Sequence, residues 1–522
     1  MIDFLIKNGQ IFRGDGSPSF KSNIGIKGDR IVYIGAEEIS ASRTIDAKDL
    51  VVCPGFIDTH GHSEFTLLAD RRAEGKIFQG ITTEVNGNCG LSAAPLYGEA
   101  LQRREPELTN LGIKERWSTF REYFKILRSR GMGINFVTLC GHGNIRASVA
   151  GYRNGISKKD LTKMKELFVD ILKDGVKGLS TGLQYPPGVY ASTEEIIELA
   201  KVLGNYGSKR ELIYTSHIRD EGDYLVESIA EAIRIAKEGG ISVHISHLKT
   251  SGSENWKKID KVIEFIEKGR ADGIRITADR YPYVASSTDL DILLPSWIYE
   301  GGNEKLLKRI KDSEVIKDIK RDLEKKDEDF WKGISISRVH KNKWMEGMSI
   351  YDIACKLNKN PVDMLFEIII EEENKVEGIF FFMSEENLKR FLKLSYLTIG
   401  SDSSARGFSG ITSSGKPHPR GFGTFPRFFG KYIRQEGLMS LSEAIRKVTY
   451  LPALIFGIQE RGLIKEGFYA DLCIFDFNRI IDEATFSEPF KKPVGILYVF
   501  LNGVPVIDEG EHTGILSGRV LN

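Results

Sequence analysis

Four histidines, one cysteine and one aspartate stand where an apolar stretch gives way to a polar one: His60, His62, Cys89, His217, His247 and Asp402. Imidazole and thiolate hold divalent metals, and a carboxylate beside them can carry a proton. Residues 54–62 read PGFIDTHGH, an apolar segment that ends in two imidazoles one residue apart. In an extended chain residues i and i+2 point to one face, so His60 and His62 project together. A single histidine in such a place is more often a satisfied core residue than a ligand. A paired H-x-H at a strand end is different, and four further metal- or proton-competent positions beside it point to a metal site. Cys89 lies in NGNCG, between Gly87 and Gly90 on a polar turn, where a soft thiolate suits Zn²⁺.

The remaining histidines and cysteines read differently. His244 precedes His247 by three residues and so has the opposite strand parity, which turns it toward the surrounding helices. His142, in CGHGNIR, follows a strand and lines the site mouth as a non-ligand; His340 and His512 read as surface residues. Cys53, Cys140 and Cys473 fall in or beside apolar runs and read as core packing.

These side chains need a scaffold that gathers strand ends. Eight apolar segments fit: VVCPGFID, TTEVN, NFVTLCG, KGLSTGL, LIYTSH, SVHISH, RITADRYP and LTIGSD. Between them lie amphipathic helical stretches such as TKMKELFVDILKDG and LVESIAEAIRIAKEGG, the second closed by a Gly-Gly cap. Alternating strands and helices predict a parallel (β/α)₈ barrel of the TIM type, with its active site at the strand C-termini. Both ends of the chain are instead short strands with turns at Asn8-Gly9, Asp15-Gly16, Lys27-Gly28-Asp29 and Asn502-Gly503. The expected division is residues 1–54 and 456–522 forming one small β-sandwich domain, and 55–455 forming the barrel. A charged helical insertion at about 290–345 should present a solvated face, or serve as a lid or subunit contact.

Composition limits the partners. The 522 residues are 41% hydrophobic and 28% charged, with 73 Lys+Arg against 72 Asp+Glu, so no global basic field points to nucleic acid or an anionic membrane. The opening MIDFLIKNGQ is strand-like and not a signal core, and no apolar run approaches a membrane span. Five scattered cysteines do not form a disulfide framework, and a cytoplasmic protein with reduced thiols is expected. The expected partner is a small-molecule substrate; oligomeric state is not legible.

PGFIDTHGH, Cys89, His217, SHLK at 246–249 and GSD at 400–402 together resemble the amidohydrolase superfamily and, within it, the N-acyl-D-amino-acid deacylases, or D-aminoacylases. The resemblance spans nearly the whole chain, and the strand-two cysteine is its sharper marker. It implies one tight zinc on Cys89, His217 and His247, a second, weaker metal position at His60 and His62, and Asp402 as general acid/base. It also implies that Lys249, Tyr281, Ser287 and Arg420, in DRYPYVASST and KPHPRGFGTFPRF, hold a substrate α-carboxylate. A planar guanidinium in the Pro-Gly-rich segment around Arg420 suits that task. Taken singly, Arg420 reads as a surface charge and Tyr281-Pro282-Tyr283 as a rigid turn.

The expected reaction is zinc-dependent hydrolysis of an N-acyl-D-amino acid to a carboxylate and a free D-amino acid. The alternative is a cyclic-amide hydrolase like the hydantoinases and dihydroorotases. Those typically carry a carboxylated lysine at the end of strand four, whereas GLSTGLQY ends here without one and Lys177 stands at the strand's start. A non-catalytic scaffold would be expected to have lost ligands or Asp402, and all are present.

Overall fold

A computed structural model describes residues 1–207 and 211–522. Its centre is a ring of eight parallel strands: Phe56–Asp58, Ile81–Asn86, Asn135–Thr138 continued by Cys140–Gly141, Gly178–Gly182, Ile213–His217, Ser242–Ile245, Ile276–Arg280 and Leu397–Ile399. They are called strands one to eight below. Strands one to three pair in order, as do the continuation of strand three through strand eight. Past their ends, strands eight and one meet through the parallel bridge Gly61–Ser403, with Asp402 N donating to His60 O at 2.8 Å and His62 N to Ser403 O at 3.1 Å.

Every residue of strands one to five is buried, as parallel strands covered on both faces require. One end of the barrel is filled by Ile57, Val85, Val137, Leu139 and Ile213 packed on Ala453, Phe456 and Ile458. The outer layer is made of the expected helices. Lys158–Lys173 starts at a capping box between Ser157 and Asp160, and Leu225–Gly239 ends at Gly240 with φ +65°.

VVCPGFID divides between two sheets. Val51–Pro54 pairs antiparallel with Leu472–Phe475, while Phe56–Asp58 enters the barrel. The first of these belongs to a nine-stranded sheet that joins the N-terminal strands, from Ile2–Ile11 to Ala41–Asp46, with C-terminal strands up to Glu511–His512. Its isoleucine-rich face closes on Val52, Leu472, Ile474 and Phe500. Asn502-Gly503 forms the expected hairpin turn, both residues at positive φ. Asn8-Gly9 does not separate two strands: only Asn8 is left-handed, at φ 62°, and the pair is a register shift inside the ten-residue strand Ile2–Ile11. A single left-handed residue yields a bulge, whereas a tight hairpin of this type needs two.

Between strands seven and eight the charged helices belong to a larger unit. Strands Ser286–Asp289, Ile334–Arg338 and Glu377–Phe380 form an antiparallel sheet. Helices Ser313–Leu323, Ile350–Leu357 and Pro361–Glu371 contribute to its separate core around Leu290, Trp331, Ile336 and Phe380. The unit therefore runs past the expected 290–345, because the later helices and Glu377–Phe380 bury their apolar faces in the same core.

Candidate active site

The polar ends of the strands converge. Cys89 Sγ lies 3.2 Å from His60 Nε2 and 3.5 Å from His247 Nε2. The rings of His217 and His247 meet edge-on at 4.5 Å between centroids. His62 Nε2 lies 3.2 Å from Asp402 Oδ1, and His60 Nε2 lies 3.5 Å from the same oxygen. Two groups of donor atoms result, each with its atoms within 4.8 Å of one another: Cys89, His217 and His247, and His60, His62, Cys89 and Asp402. Cys89 belongs to both.

Local backbone conformation aims three of these residues. Cys89, His247 and Asp402 have φ of 53°, 36° and 49°. Such values cost a non-glycine residue about 1 kcal/mol or more and collect at functional sites. Around Cys89 the turn is forced by crowding: a Cβ on Gly87 would meet Leu139 O at 2.2 Å, and one on Gly90 would meet Gly182 N at 2.7 Å. Only glycines let strand two's turn press so closely on strands three and four.

The groups behind the donors fix their orientation. Asp279 Oδ2 lies 3.0 Å from His60 Nδ1 and 2.9 Å from His244 Nε2, and its Oδ1 accepts from His247 N at 2.8 Å. Glu221 Oε1 lies 3.0 Å from His247 Nδ1, and Gln184 Oε1 lies 2.9 Å from His217 Nε2. A carboxylate on Nδ1 leaves Nε2 free to face the shared centre, the usual arrangement behind a metal-binding histidine. His244 thus corrects the parity expectation: it is buried inside, against Asp279 and the Phe456 ring. Strand six ends at Ile245 and His247 is left-handed, so alternation does not carry from one histidine to the other.

Charge is strongly biased here. Burial raises the Cys89 thiol, yet the charges of His60 and His247 and hydrogen bonds from His217 and His247 hold it well below the thiol range. Burial likewise opposes ionisation of Asp402, but Arg420, His60 and His62 keep its carboxyl well below the usual carboxylate range. Burial alone would lower His62, but its hydrogen bonds to Asp402 and Cys89 lift it to about 9. His60 is driven well upward: burial opposes this, and the charges of Asp279, Cys89 and Asp402 outweigh it. A thiolate and carboxylates thus surround imidazoles and draw protons onto them. Positive charge is what the donor set lacks, and a divalent cation fits that demand.

Arg420 and Lys249 touch the donor groups, and Tyr281 and Ser287 touch Arg420. Arg420 does not lie in a loop: it opens helix Arg420–Arg427, with Nη1 2.9 Å from Asp402 Oδ2 and its guanidinium 4.6 Å from the Tyr281 ring centre. Its Nη2 donates to Ser287 O at 3.4 Å, so the inserted unit reaches the site. Asp402 thus has Arg420 as its basic partner in space, 18 positions later in sequence. Tyr281 is fully buried with its hydroxyl unpartnered among the described residues. Lys249 pairs with Glu221 and stands 2.8 Å from His247 Nδ1.

Asp279, Glu221, Gln184 and His418 also shape the site, and none of them was among the residues expected there from the sequence. His418 accepts from Arg420 N at 3.0 Å through Nδ1, and its Nε2 lies 2.9 Å from Ala285 O, so it seats the start of the arginine's helix. The H-x-R spacing was its available signal. His142 sits 2.8 Å from Glu195, outside both donor groups. His340 is exposed and His512 half-buried. Cys53 and Cys473 are buried cross-strand neighbours, Cys140 is buried, and all five cysteines are free. No described helix is long and apolar enough to cross a membrane.

The sequence profile of the Amidohydrolase family matches residues 43–280 and 408–507, leaving out the inserted unit and strand eight. D-aminoacylase of Alcaligenes xylosoxydans xylosoxydans is 34% identical over 99% of this chain and 97% of its own. N-acyl-D-glutamate deacylase of Bordetella bronchiseptica, solved with zinc and a phosphonate mimic of the tetrahedral intermediate, superposes with a TM-score of 0.84 at 30% identity, covering 100% of this chain and 99% of that one. A solved D-aminoacylase described by one-metal activation and second-metal attenuation of a binuclear centre matches at a TM-score of 0.84 and 33% identity, over 100% of both chains. With a matched profile over most of its length and relatives of this identity end to end, the chain belongs to the amidohydrolase family, in its D-aminoacylase branch.

Proposed function

We propose that the protein hydrolyses the linear amide bond of N-acyl-D-amino acids, with one tight zinc on Cys89, His217 and His247 and a second, weaker position at His60 and His62. The observation that carries this reading is Asp402. It is one carboxylate, 3.2 Å from His62 on one side and 2.9 Å from Arg420 on the other, at the edge of a Cys/His donor set. Zinc, when bound, supplies Lewis acidity that polarises a carbonyl and makes water more acidic.

The chain's own residues do the rest. Asp402 takes a proton from the attacking water and delivers it to the departing nitrogen. Arg420 receives the substrate's α-carboxylate, with Lys249, Tyr281 and Ser287 around it. As that carboxylate engages Arg420, the guanidinium's hold on Asp402 slackens and Asp402 becomes a better base. With the carboxylate and the acyl carbonyl both pinned, the side-chain wall accepts one hand of the α-carbon.

The cyclic-amide reading lacks its lysine. Strand four runs into Leu183 and Gln184, and Lys177 precedes the strand at its far end. The test is parallel assay of an N-acetyl-D-amino acid and a hydantoin, with metal content measured on the same preparation. Turnover of the linear amide by zinc-containing protein supports the reading; turnover of the hydantoin alone overturns it.

A further inference from the structure

We propose that Lys76 is a positioning residue whose ammonium latches the end of strand one to the end of strand eight and so fixes the spacing between His60, His62 and Asp402. The inference rests on the roles given above to those three residues.

Lys76 is fully buried, and four acceptors surround its three donors. Nζ lies 2.8 Å from Asp58 Oδ2, 2.7 Å from Glu84 Oε1, 2.7 Å from Ser401 Oγ and 2.8 Å from Ser403 O. Asp58 and Glu84 are also fully buried. Taking three charges out of water is expensive, and such a cluster is weak evidence for stability. Its layout points to geometry instead.

Each partner of Lys76 leads within two steps to a residue of the site. Ser401 and Ser403 are the two neighbours of Asp402, so the ammonium grips Asp402 from both sides and supports its left-handed φ of 49°. Asp58 Oδ1 accepts from His60 N at 3.1 Å and from Ser401 N at 2.8 Å, joining the two strands directly. Glu84 Oε1 accepts from Ser63 Oγ at 2.8 Å, next to His62, and Ser63 Oγ in turn accepts from Ala405 N at 2.6 Å. The seam needs such a latch. Strands one and eight are three residues each and, among the described residues, share no ladder beyond the Gly61–Ser403 bridge. Among the described residues no hydrogen bond or ion pair joins Lys76 to Cys89, His217 or His247, so the latch bears on His60, His62 and Asp402 and not on the tight position.

Two variants test this in the full chain. Lys76→Met removes the latch but strands two buried carboxylates. Ser401→Ala cuts one of its grips and leaves the charges paired. Zinc titration of metal-free protein by calorimetry is read beside kcat and KM for an N-acetyl-D-amino acid. In Lys76→Met the first zinc event should stay within about threefold, while the second weakens about tenfold or more. Its kcat should fall about thirtyfold or more with KM within about threefold, and Ser401→Ala should lose about fivefold in kcat alone. A latch that only stabilises the fold would lower the melting temperature and leave kcat, KM and both zinc affinities at parental values. That result in Ser401→Ala, whether or not Lys76→Met folds, overturns the inference. Parent protein that binds no zinc or cleaves no amide would instead bring down the functional reading, and the two failures are distinguishable because that one is seen before any substitution.

Discussion

Replacing Arg420 by methionine removes the guanidinium while keeping most of the side chain's length and its packing on Tyr281. Arg420 is 6% exposed and stands 2.9 Å from Asp402, so its charge is little screened by solvent. A charge-assisted hydrogen bond in that setting is worth roughly 1.5–3 kcal/mol, or about ten- to hundredfold in affinity for a substrate carboxylate. KM for an N-acyl-D-amino acid should rise by that factor, with zinc content unchanged. The second consequence separates anchoring from proton transfer. Without Arg420 the Asp402 carboxyl loses its main charge partner and rises toward the ordinary carboxylate range, but His60 and His62 remain, so it stays ionised at neutral pH. Turnover of the corresponding neutral amide, which has no carboxylate to anchor, should therefore change by no more than a small factor. The assay is parallel steady-state kinetics of acid and amide in parent and variant. If the variant keeps the parent's full preference for the acid, Arg420 is only Asp402's counter-ion and the carboxylate is held elsewhere.

Asp402→Asn should retain fold and metal while kcat drops about 10²-fold or more; a kcat within a few-fold of the parent assigns proton transfer to another group. Cys89→Ala should lower zinc per chain and activity together, and stoichiometric zinc in that variant removes the thiolate from the tight position. Lys447, buried in helix Leu441–Val448 with Nζ 3.0 Å from Leu397 O, is pushed down by burial from 10.5 to about 8. Across that window the unfolded chain holds the extra proton, so its contribution to stability rises with pH from about 8 to 10.5, by up to about 3 kcal/mol. Denaturant unfolding of the parent and Lys447→Met through the window checks this: the parent should gain stability relative to the variant, and parallel curves refute it.

The barrel was legible because each strand is an apolar run and each helix an amphipathic one, and both patterns are local. His60, His62, Cys89, His217, His247 and Asp402 could be singled out for the same reason: each breaks an apolar run with a polar, metal- or proton-competent side chain. What sequence hid was whatever depends on a chain reversal or a long-range partner. Strand parity misassigned His244 because the left-handed turn at His247 resets alternation. Taken singly, Arg420 read as a surface charge because its partner Asp402 lies 18 positions earlier and meets it only when the barrel closes. Lys76, in AEGKIFQG, looks like any helical lysine until Asp58, Glu84 and Ser401 surround it. In the inserted unit the charges announced helices. Its three strands were hidden, being short and paired across long stretches of chain.

The proposed hydrolysis takes place at a carboxylate-anchored, one-handed site built on Asp402 and Arg420. Its most direct measurement is kcat/KM of the zinc-loaded protein for the two enantiomers of one N-acetyl-amino acid. With carboxylate and carbonyl both pinned, the wrong hand must drive its side chain into the barrel wall or give up an anchor, a difference of about 2–3 kcal/mol. The D-enantiomer should therefore be preferred by about thirty- to hundredfold or more. Equal rates for the two enantiomers, or a preference for the L form, would mean that Arg420 and Asp402 do not build a site that selects the D hand.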